Sequence, residues 1–224
     1  MHISEYKNIF HNEETHFFYR STHAIVVNLI KKFLPTSEKL HILDAGCGTG
    51  RLAVLLQQLG AVEAVDISGE AIRYAKKRGI DAKKASIMNL PFHDSTFSLV
   101  TSIDVLYHQH VQDTKALKEI HRVLKKKGYL IIRVPANPLF STSHDRLVHT
   151  RHRYTQSELT QKLEDAGFLI VYSTAVHSVL IPFVLMRKLQ EKIKGSAPHT
   201  AITSVNRYVN ILLTAILLLE VKFL

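Results

Sequence analysis

Three glycines crowd the stretch "HILDAGCGTG" (residues 41–50), directly after an apolar run that ends in Asp44. A strand, a glycine loop and a helix in this order leave backbone N–H groups unpaired at the start of the helix, which suits an anionic ligand group. Glycine also permits positive φ and a close approach of the ligand. The spacing differs from the G-x-G-x-x-G of dinucleotide sites, however, and Asp44 would repel a pyrophosphate. An acid at this position favours a ligand that carries a cationic group.

A second acid, Asp66, ends the next apolar run, about twenty residues after the first loop glycine. A carboxylate at this distance can bind both hydroxyls of a ribose. The loop and the two acids together predict a nucleoside ligand that carries an amine and a carboxylate.

Strands and helices must position these groups. Short apolar runs rich in β-branched residues alternate with amphipathic stretches, which is typical of repeated βα units. We therefore expect an α/β fold with a doubly wound, mostly parallel sheet flanked by helices. The six predicted strands are "LHILDA" (40–45), "AVEAVD" (61–66), "DAKKAS" (81–86), "FSLVTSI" (97–103), "GYLIIRV" (128–134) and "FLIVYSTAV" (168–176).

Capping signals predict the ends of three helices. One helix is expected over residues 22–34. Asp113 is predicted to be the N-cap of a second helix, which ends at Gly128. "TQSE" (155–158) is a capping box, so a third helix is expected to run from about Gln156 to Ala166 and to stop at Gly167.

Several stretches, in order, resemble the motifs of the seven-stranded, Rossmann-like (class I) S-adenosylmethionine-dependent methyltransferases of the small-molecule type. "LDAGCGTG" is similar to the family's first motif, and "VDIS" (65–68) to its ribose-binding strand end. "NLPFHDSTFSLVTSIDVLYH" (89–108) resembles its adenine loop, fourth strand and active-site edge, and "ALKEIHRVLKKKGYLIIRVP" (116–135) the helix and fifth strand that follow. The resemblance implies S-adenosylmethionine as the cofactor and methyl transfer as the reaction. A nicotinamide-dependent or ligand-free Rossmann domain is the alternative.

The resemblance also implies a set of cofactor-binding residues. The methionine end is expected on Asp44 and the glycine loop, the ribose on Asp66 and the adenine against Ile67. Ser86 stands where the family commonly has an acid, and its hydroxyl can still accept one hydrogen bond. Asp104 is expected beside the sulfonium, with capping of the next loop as its alternative role. The expected cofactor residues are Asp44, Gly46, Cys47, Gly48, Gly50, Asp66, Ile67, Ser86, Ile87 and Asp104.

His108, in "VLYHQH", follows the predicted fourth strand and is the candidate catalytic residue. It would act as general base for an alcohol or phenol acceptor. Its alternative role is packing beneath the cofactor, in which case positioning of the acceptor supplies much of the rate.

The stretch "SHDRLVHTRHRYT" (143–155) is predicted to form a lid that presents positive donors to an acidic or hydroxylated substrate. "HFFYRS" (16–21) either closes the pocket from the other side or contributes its phenylalanines to the core. This lid and arm resemble bacterial small-molecule methyltransferases associated with surface polysaccharide or lipid-linked sugar pathways. The candidate substrate-binding residues are Tyr19, Arg20, His149, Arg151 and Arg153.

Three histidines of the lid, His144, His149 and His152, invite a metal hypothesis. The neighbouring arginines would repel a divalent cation, and histidine spacing without acids or cysteines is a weak ligand signal. We therefore predict no metal.

The formal net charge of +10 favours acidic partners such as nucleic acid, phosphorylated substrates or an anionic membrane surface. The basic runs close predicted helices, however, where an ordinary solvated surface explains them. A nucleic-acid methyltransferase fits the charge, but "IDVLYH" stands where base-amino methylation in this fold uses a Pro-Pro-aromatic tetrapeptide. We therefore favour a small-molecule or lipid- or sugar-linked acceptor over RNA, and also over a non-catalytic cofactor-binding subunit.

Two C-terminal stretches, at residues 175–189 and 207–224, carry more apolar surface than a small domain needs. Neither reaches the roughly 18 to 20 uninterrupted apolar residues that span a bilayer. We expect a cofactor-binding domain over residues 1–177 and a helical appendage over residues 178–224. Its two helices are predicted to pair as a hairpin that docks on a membrane surface or a second subunit, or is buried against the core.

The last strand of the family is expected either to be absent or to lie beyond residue 224. The first twenty residues do not resemble a secretory signal, and the single cysteine suits a reducing compartment. A cytoplasmic location is therefore expected, with or without peripheral association at the membrane surface.

Overall fold

The computed structural model describes residues 3–34, 39–194 and 205–224. These residues form two compact units. The first, the sheet unit, comprises residues 39–139 and 149–173. The second, the helical unit, comprises residues 3–34, 140–148, 174–194 and 205–224. Residues 3–34, which the sequence analysis assigned to the cofactor-binding domain, thus belong to the same unit as the C-terminal helices.

The described residues contain five strands and nine α-helices. The strands are β1 (Leu40–Ala45), β2 (Gly60–Asp66), β3 (Ala82–Lys84), β4 (Phe97–Ile103) and β5 (Leu124–Arg133). The helices are α1 (Ile3–Asn12), α2 (Phe17–Phe33), α3 (Arg51–Leu56), α4 (Gly69–Lys77), α5 (Asp113–Val123), α6 (His144–Leu147), α7 (Gln156–Asp165), α8 (Ile181–Lys194) and α9 (Arg207–Lys222).

The sheet unit is a five-stranded parallel sheet with the strand order β3-β2-β1-β4-β5. The two central strands, β1 and β4, carry fully buried apolar side chains such as Ile42, Leu43 and Leu99, as expected for parallel strands covered on both faces. The sequence prediction of an α/β fold around a parallel sheet is confirmed. Because the sheet order reverses direction beside β1, the carboxyl ends of β1 and β4 border a crevice where ligands bind in such folds.

The helix that precedes β5 is shorter than its sequence predicts. Gln112, not Asp113, is the N-cap, and α5 ends at Val123 instead of Gly128. Leu124 is buried and pairs with Phe97 of β4, and a register shift follows before Tyr129 pairs with Leu99. Burial of Leu124 in the sheet therefore outweighs the helix preference of the three lysines that follow it.

The predicted capping box is present in part, since the Thr155 side chain accepts from the Glu158 N–H at the start of α7.

The prediction of a sixth strand over residues 168–176 is wrong. The described structure has an irregular segment there, and Leu169 is 91% exposed. An apolar run predicts a strand only where a neighbouring strand offers backbone partners, and this run has none in the sheet.

In the helical unit, α9 packs along α2, whereas the sequence predicted a hairpin of α8 with α9. The Asn210 carboxamide accepts from the Phe17 N–H at 2.8 Å and donates to the Thr15 carbonyl at 2.9 Å. Near the other end, the Asn28 side chain donates to the Val221 carbonyl at 3.2 Å. Within the described ranges, none of the helices is long and apolar enough to cross a membrane.

Candidate active site at the carboxyl ends of the strands

The glycine loop after β1 has positive φ at Gly46 (91°), Gly48 (54°) and Gly50 (86°), a backbone conformation that L side chains rarely adopt. A Cβ on Gly46 would lie 2.3 Å from the Val105 Cγ2 atom, and one on Gly50 would lie 3.0 Å from Ala75. A Cβ on Gly48 would meet no atom within 4 Å. Packing thus requires glycine at the first and last positions, whereas the middle glycine faces open space that a ligand can enter.

Asp44 ends β1 beside this loop and is buried. It is paired in register with Thr101 of β4, so their side chains share a face of the sheet. The Thr101 hydroxyl donates to Asp44 Oδ1 at 2.8 Å, while Oδ2 has no hydrogen-bond partner among the described residues. Burial raises the pKa of Asp44 to about 7, the Thr101 hydrogen bond opposes this rise, and the nearby charge of Asp66 adds to it. A buried carboxylate oxygen without a donor is suited to a cationic N–H group.

Asp66 ends β2 and is oriented by the glycine loop. Its Oδ2 atom accepts from the Gly48 N–H at 2.9 Å, and its Oδ1 atom accepts from the Ser68 N–H at 2.8 Å. Burial raises the pKa of Asp66, and these backbone hydrogen bonds oppose the rise. Each carboxylate oxygen can accept a further hydrogen bond. The adjacent Ile67 is 63% exposed, so an apolar surface is available beside this carboxylate.

The segment predicted to contact adenine is a tight turn. Ser86 and Asn89 form an isolated antiparallel bridge, and the Ser86 hydroxyl accepts from the Met88 N–H at 3.2 Å. Ile87 is buried. Helix α5 holds the turn in place, because Glu119 accepts from the Leu90 N–H at 2.9 Å.

Asp104 follows β4 with a φ of 59°, and its side chain pairs with Arg133 at the end of β5. Burial raises the pKa of the Asp104 carboxyl, and the charges of Arg133 and Arg153 oppose that rise. Sequence reasoning did not single out Arg133, since nothing in the chain indicates that its strand ends beside Asp104. The predicted contact of Asp104 with a sulfonium stays a prediction.

The structure brings part of the predicted lid to the segment that contains His108. His108 and Thr150 form an antiparallel bridge. On either side of it, the Gln109 N–H donates to the His149 carbonyl at 3.0 Å and the Arg151 N–H donates to the Tyr107 carbonyl at 2.9 Å. Residues 149–151 therefore run antiparallel to residues 107–109, a few residues after the end of β4.

Asp113 joins the lid to α5 and α7. Its buried carboxylate is paired with Arg151, accepts from the Tyr154 hydroxyl at 3.0 Å and lies 3.3 Å from Lys162 Nζ. These partners hold the pKa of Asp113 below its usual value although burial opposes them. Arg151 therefore has a structural role that the sequence did not indicate, because Asp113 was interpreted as a helix cap. Arg153 instead donates to the Ala136 carbonyl at 3.3 Å.

The remaining predicted substrate residues, Tyr19 and Arg20, lie on α2 in the helical unit. Their part in substrate binding stays a prediction. Among the described residues there is no group of three or more His, Cys, Asp or Glu side chains that could hold a metal.

A cavity of about 750 Å³ lies at the base of the lid, between α5 and α7. The charged side chains that line it are Asp113, Lys115, Lys118, Glu119, Arg122, Arg151 and Lys162. Cations outnumber acids here, so the cavity favours an anionic group.

Comparison with known proteins supports the assignment that this geometry suggests. The profile of the methyltransferase domain family matches residues 43–132. The chain is 34% identical over 170 residues to an uncharacterized protein of Methanocaldococcus jannaschii, covering 73% of this chain and 72% of that protein. It is 31% identical over 147 residues to a probable S-adenosylmethionine-dependent methyltransferase of Mycobacterium tuberculosis, covering 63% of this chain and 53% of that protein.

A shorter match joins the chain to the human probable tRNA methyltransferase 9B, with 37% identity over 95 residues, which cover 42% of this chain and 21% of that protein. The chain thus spans about half of the mycobacterial relative and a fifth of the human one. Among solved structures, a Thermotoga maritima S-adenosylmethionine-dependent methyltransferase, described as a possible histamine N-methyltransferase, superposes with a TM-score of 0.59 at 26% identity. That match covers 75% of this chain and 78% of the other.

The chain therefore belongs to the class I S-adenosylmethionine-dependent methyltransferases. It is an enzyme of that family, and S-adenosylmethionine is its cofactor. The predictions of family, reaction type and cofactor are confirmed.

Proposed function

We propose that this methyltransferase acts on a small acceptor molecule, either free or linked to a lipid or sugar. The observation that supports this proposal is the lid, whose residues 149–151 pair antiparallel with residues 107–109 in the segment that follows β4. The ion pair of Asp113 with Arg151 fastens the lid to α5. A lid that is hydrogen-bonded in this way would limit access to the site. The acceptor would then be a small molecule, or a larger one that inserts only a narrow part of its structure.

The residues present fit the cofactor. Gly48 leaves open space where a ligand can approach the backbone, and the unpaired Oδ2 atom of Asp44 suits the amino group of the methionine end. Asp66 would accept from the ribose hydroxyls, and Ile67 would cover one face of the adenine. Gly46, Cys47, Gly50, Ser86, Ile87 and Asp104 complete the proposed set. When bound, S-adenosylmethionine supplies an electrophilic methyl group on a sulfonium.

On the acceptor side, His108 is the proposed general base, because it follows β4 and pairs with Thr150 of the lid. A neutral imidazole would take the proton of an acceptor hydroxyl as its oxygen attacks the methyl carbon, and the bond between that carbon and sulfur would break, with S-adenosylhomocysteine as the leaving group. His149, Arg151 and Arg153 would orient an acidic or hydroxylated acceptor, with Arg151 acting mainly through its hold on the lid. Tyr19 and Arg20 are proposed to contribute from the helical unit.

Transfer of label from the cofactor tests the acceptor class. The enzyme is incubated with methyl-labelled S-adenosylmethionine and small-molecule, lipid and RNA fractions of a cell extract, and mass spectrometry identifies the product. Label in a small or lipid-linked product, absent with the Asp66→Ala variant, supports the proposal. Label confined to RNA would refute it.

One observation favours RNA as the second candidate. The cavity beside α5 is rich in lysine and arginine, and such a patch suits a phosphate backbone. The human relative named as a tRNA methyltransferase adds to this alternative. Replacement of Lys115 and Lys118 by glutamine distinguishes the two, because only an RNA substrate would lose affinity in a strongly salt-dependent way.

The proposed location is the cytoplasm with contact at a membrane surface. The C-terminal helices, which expose large apolar side chains, support this location. A homodimer through the same helices is the competing proposal.

A further inference from the structure

Helix α8 exposes its apolar side and packs its polar side. Leu189 is 58% exposed and Ile193 is 72% exposed, and Phe183, Leu185 and Met186 are exposed as well. On the packed side, Glu191 accepts from Arg187 Nε at 3.3 Å and from the Ser143 hydroxyl at 2.7 Å. Helices of globular proteins ordinarily show the reverse arrangement. The outer face of α8 therefore has the composition of a surface that is buried against another apolar surface.

Helix α9 of the same unit carries a second apolar stripe. Its side toward α2 is made by Asn210, Thr214 and Leu217. The outward side is exposed at every third or fourth position. The exposed fraction is 80% at Tyr208, and it is 82% at Phe223, the residue directly after the helix. Leu212, Ile216 and Leu219 lie between them. Two helices of the unit thus present large apolar side chains outward.

Cations flank the apolar face of α8. A cavity of about 540 Å³ lies between this helix and residues 141–146, and Arg146, Lys188 and Lys192 line it. Ser141 and Thr142, which carry hydroxyl groups, also line it. The acid of the cavity, Glu191, is engaged by both the backbone N–H and the hydroxyl of Ser143. The cavity therefore combines positive charge with hydroxyl donors, which is the chemistry that binds a phosphate group.

We propose that α8 docks on an anionic lipid bilayer, with lipid phosphates in the cavity lined by Arg146, Lys188 and Lys192. The apolar face of the helix enters the boundary between headgroups and acyl chains, as in interfacial helices. The cations lie beside this face and so reach the headgroup level, where anionic lipids attract them.

Charge favours a lipid surface over a second copy of the chain. The chain has a formal net charge of +10, and a two-fold contact through α8 would bring the same cations of two copies together. An anionic bilayer neutralises these charges and covers the apolar face at once. Because these observations lie within the helical unit, docking does not depend on which acceptor is methylated.

Vesicle flotation with the full chain tests the docking. Vesicles of phosphatidylcholine alone are compared with vesicles that also contain phosphatidylglycerol, at low and high ionic strength. We expect binding to the anionic vesicles only, weakened by salt. Each of Lys188→Gln and Lys192→Gln should lower the partition coefficient about fivefold, the effect expected of one cation near a charged surface.

Matched controls separate docking from general charge and apolar effects. Lys126→Gln removes an exposed cation of the sheet unit, and Leu169→Ser removes an exposed apolar side chain there. Both should leave the partition coefficient unchanged, whereas Leu189→Ser on α8 should lower it. An unchanged helical circular-dichroism signal, together with retained binding of S-adenosylmethionine, shows that each variant is folded.

Three outcomes overturn the proposal. They are failure to float with anionic vesicles, equal flotation with both vesicle types, and equal losses in the sheet-unit controls and the α8 variants. A mass of twice the chain by light scattering, together with no flotation, would assign the apolar faces to a second copy instead.

Discussion

Asp44 is expected to act in opposite directions on stability and on cofactor binding. Burial raises its pKa from 3.8 to about 7 in the folded protein. A carboxyl group whose pKa is higher in the folded state favours folding while it is protonated, and this contribution is lost as the pH rises from about 4 to 7. The whole difference corresponds to about 4 kcal/mol. Asp44→Asn should therefore make the cofactor-free protein more stable by up to this amount at pH 8 and change it little at pH 4.

Cofactor binding should show the opposite sign, because a cationic amino group binds the ionised carboxylate. With a pKa of about 7, about one molecule in eleven is ionised at pH 6 and about half at pH 7, so affinity should rise about fivefold over this interval. The rise should flatten above pH 7. Asp44→Asn should bind weakly and lose most of this pH dependence.

Two measurements check these signs. Urea denaturation of the cofactor-free wild type and Asp44→Asn at several pH values reports stability, and titration calorimetry with S-adenosylmethionine reports affinity. Thr101→Val is the matched control, because it removes the hydrogen bond that lowers the pKa of Asp44 and should move both transitions to higher pH. An Asn variant that is less stable than the wild type at pH 8, or an affinity that does not change between pH 6 and 7, would refute the reasoning.

Asp66→Ala should weaken cofactor binding by about tenfold or more, because the ribose hydroxyls lose a charged acceptor; equal binding in calorimetry would contradict this. Gly46→Ala should cost about 2–4 kcal/mol from positive φ and the contact with Val105. Adding Val105→Ala should restore part of the loss in urea denaturation, and purely additive losses would exclude the clash. Asp113→Ala should lower the free energy of unfolding by about 3 kcal/mol and speed trypsin cleavage within the lid, whereas unchanged cleavage would show that Asp113 does not hold it. Arg153→Ala should impair turnover more than cofactor affinity, and the reverse pattern in steady-state kinetics would remove it from the acceptor site.

Local sequence signals were sufficient for the central strands and for the conformation of the glycine loop. β1 and β4 have the predicted bounds, because alternating or continuous burial leaves a pattern in the residues themselves. The three loop glycines adopt positive φ, which backbone sterics alone lead one to expect after a strand. The Thr155 cap is likewise a contact within one turn of helix.

Only the tertiary structure decided how distant segments meet. Arg133 pairs with Asp104, and Asp113 holds Arg151 of the lid, although no spacing in the chain connects these residues. Leu124 belongs to β5 and not to α5, because it pairs with Phe97 of β4 and is buried there. Helix α9, which exposes many apolar side chains, packs along α2 with Asn210 hydrogen-bonded to Phe17 and Thr15. A residue's own preference determines the conformations open to it, but the partner that buries it or neutralises its charge is selected only when the whole chain has folded.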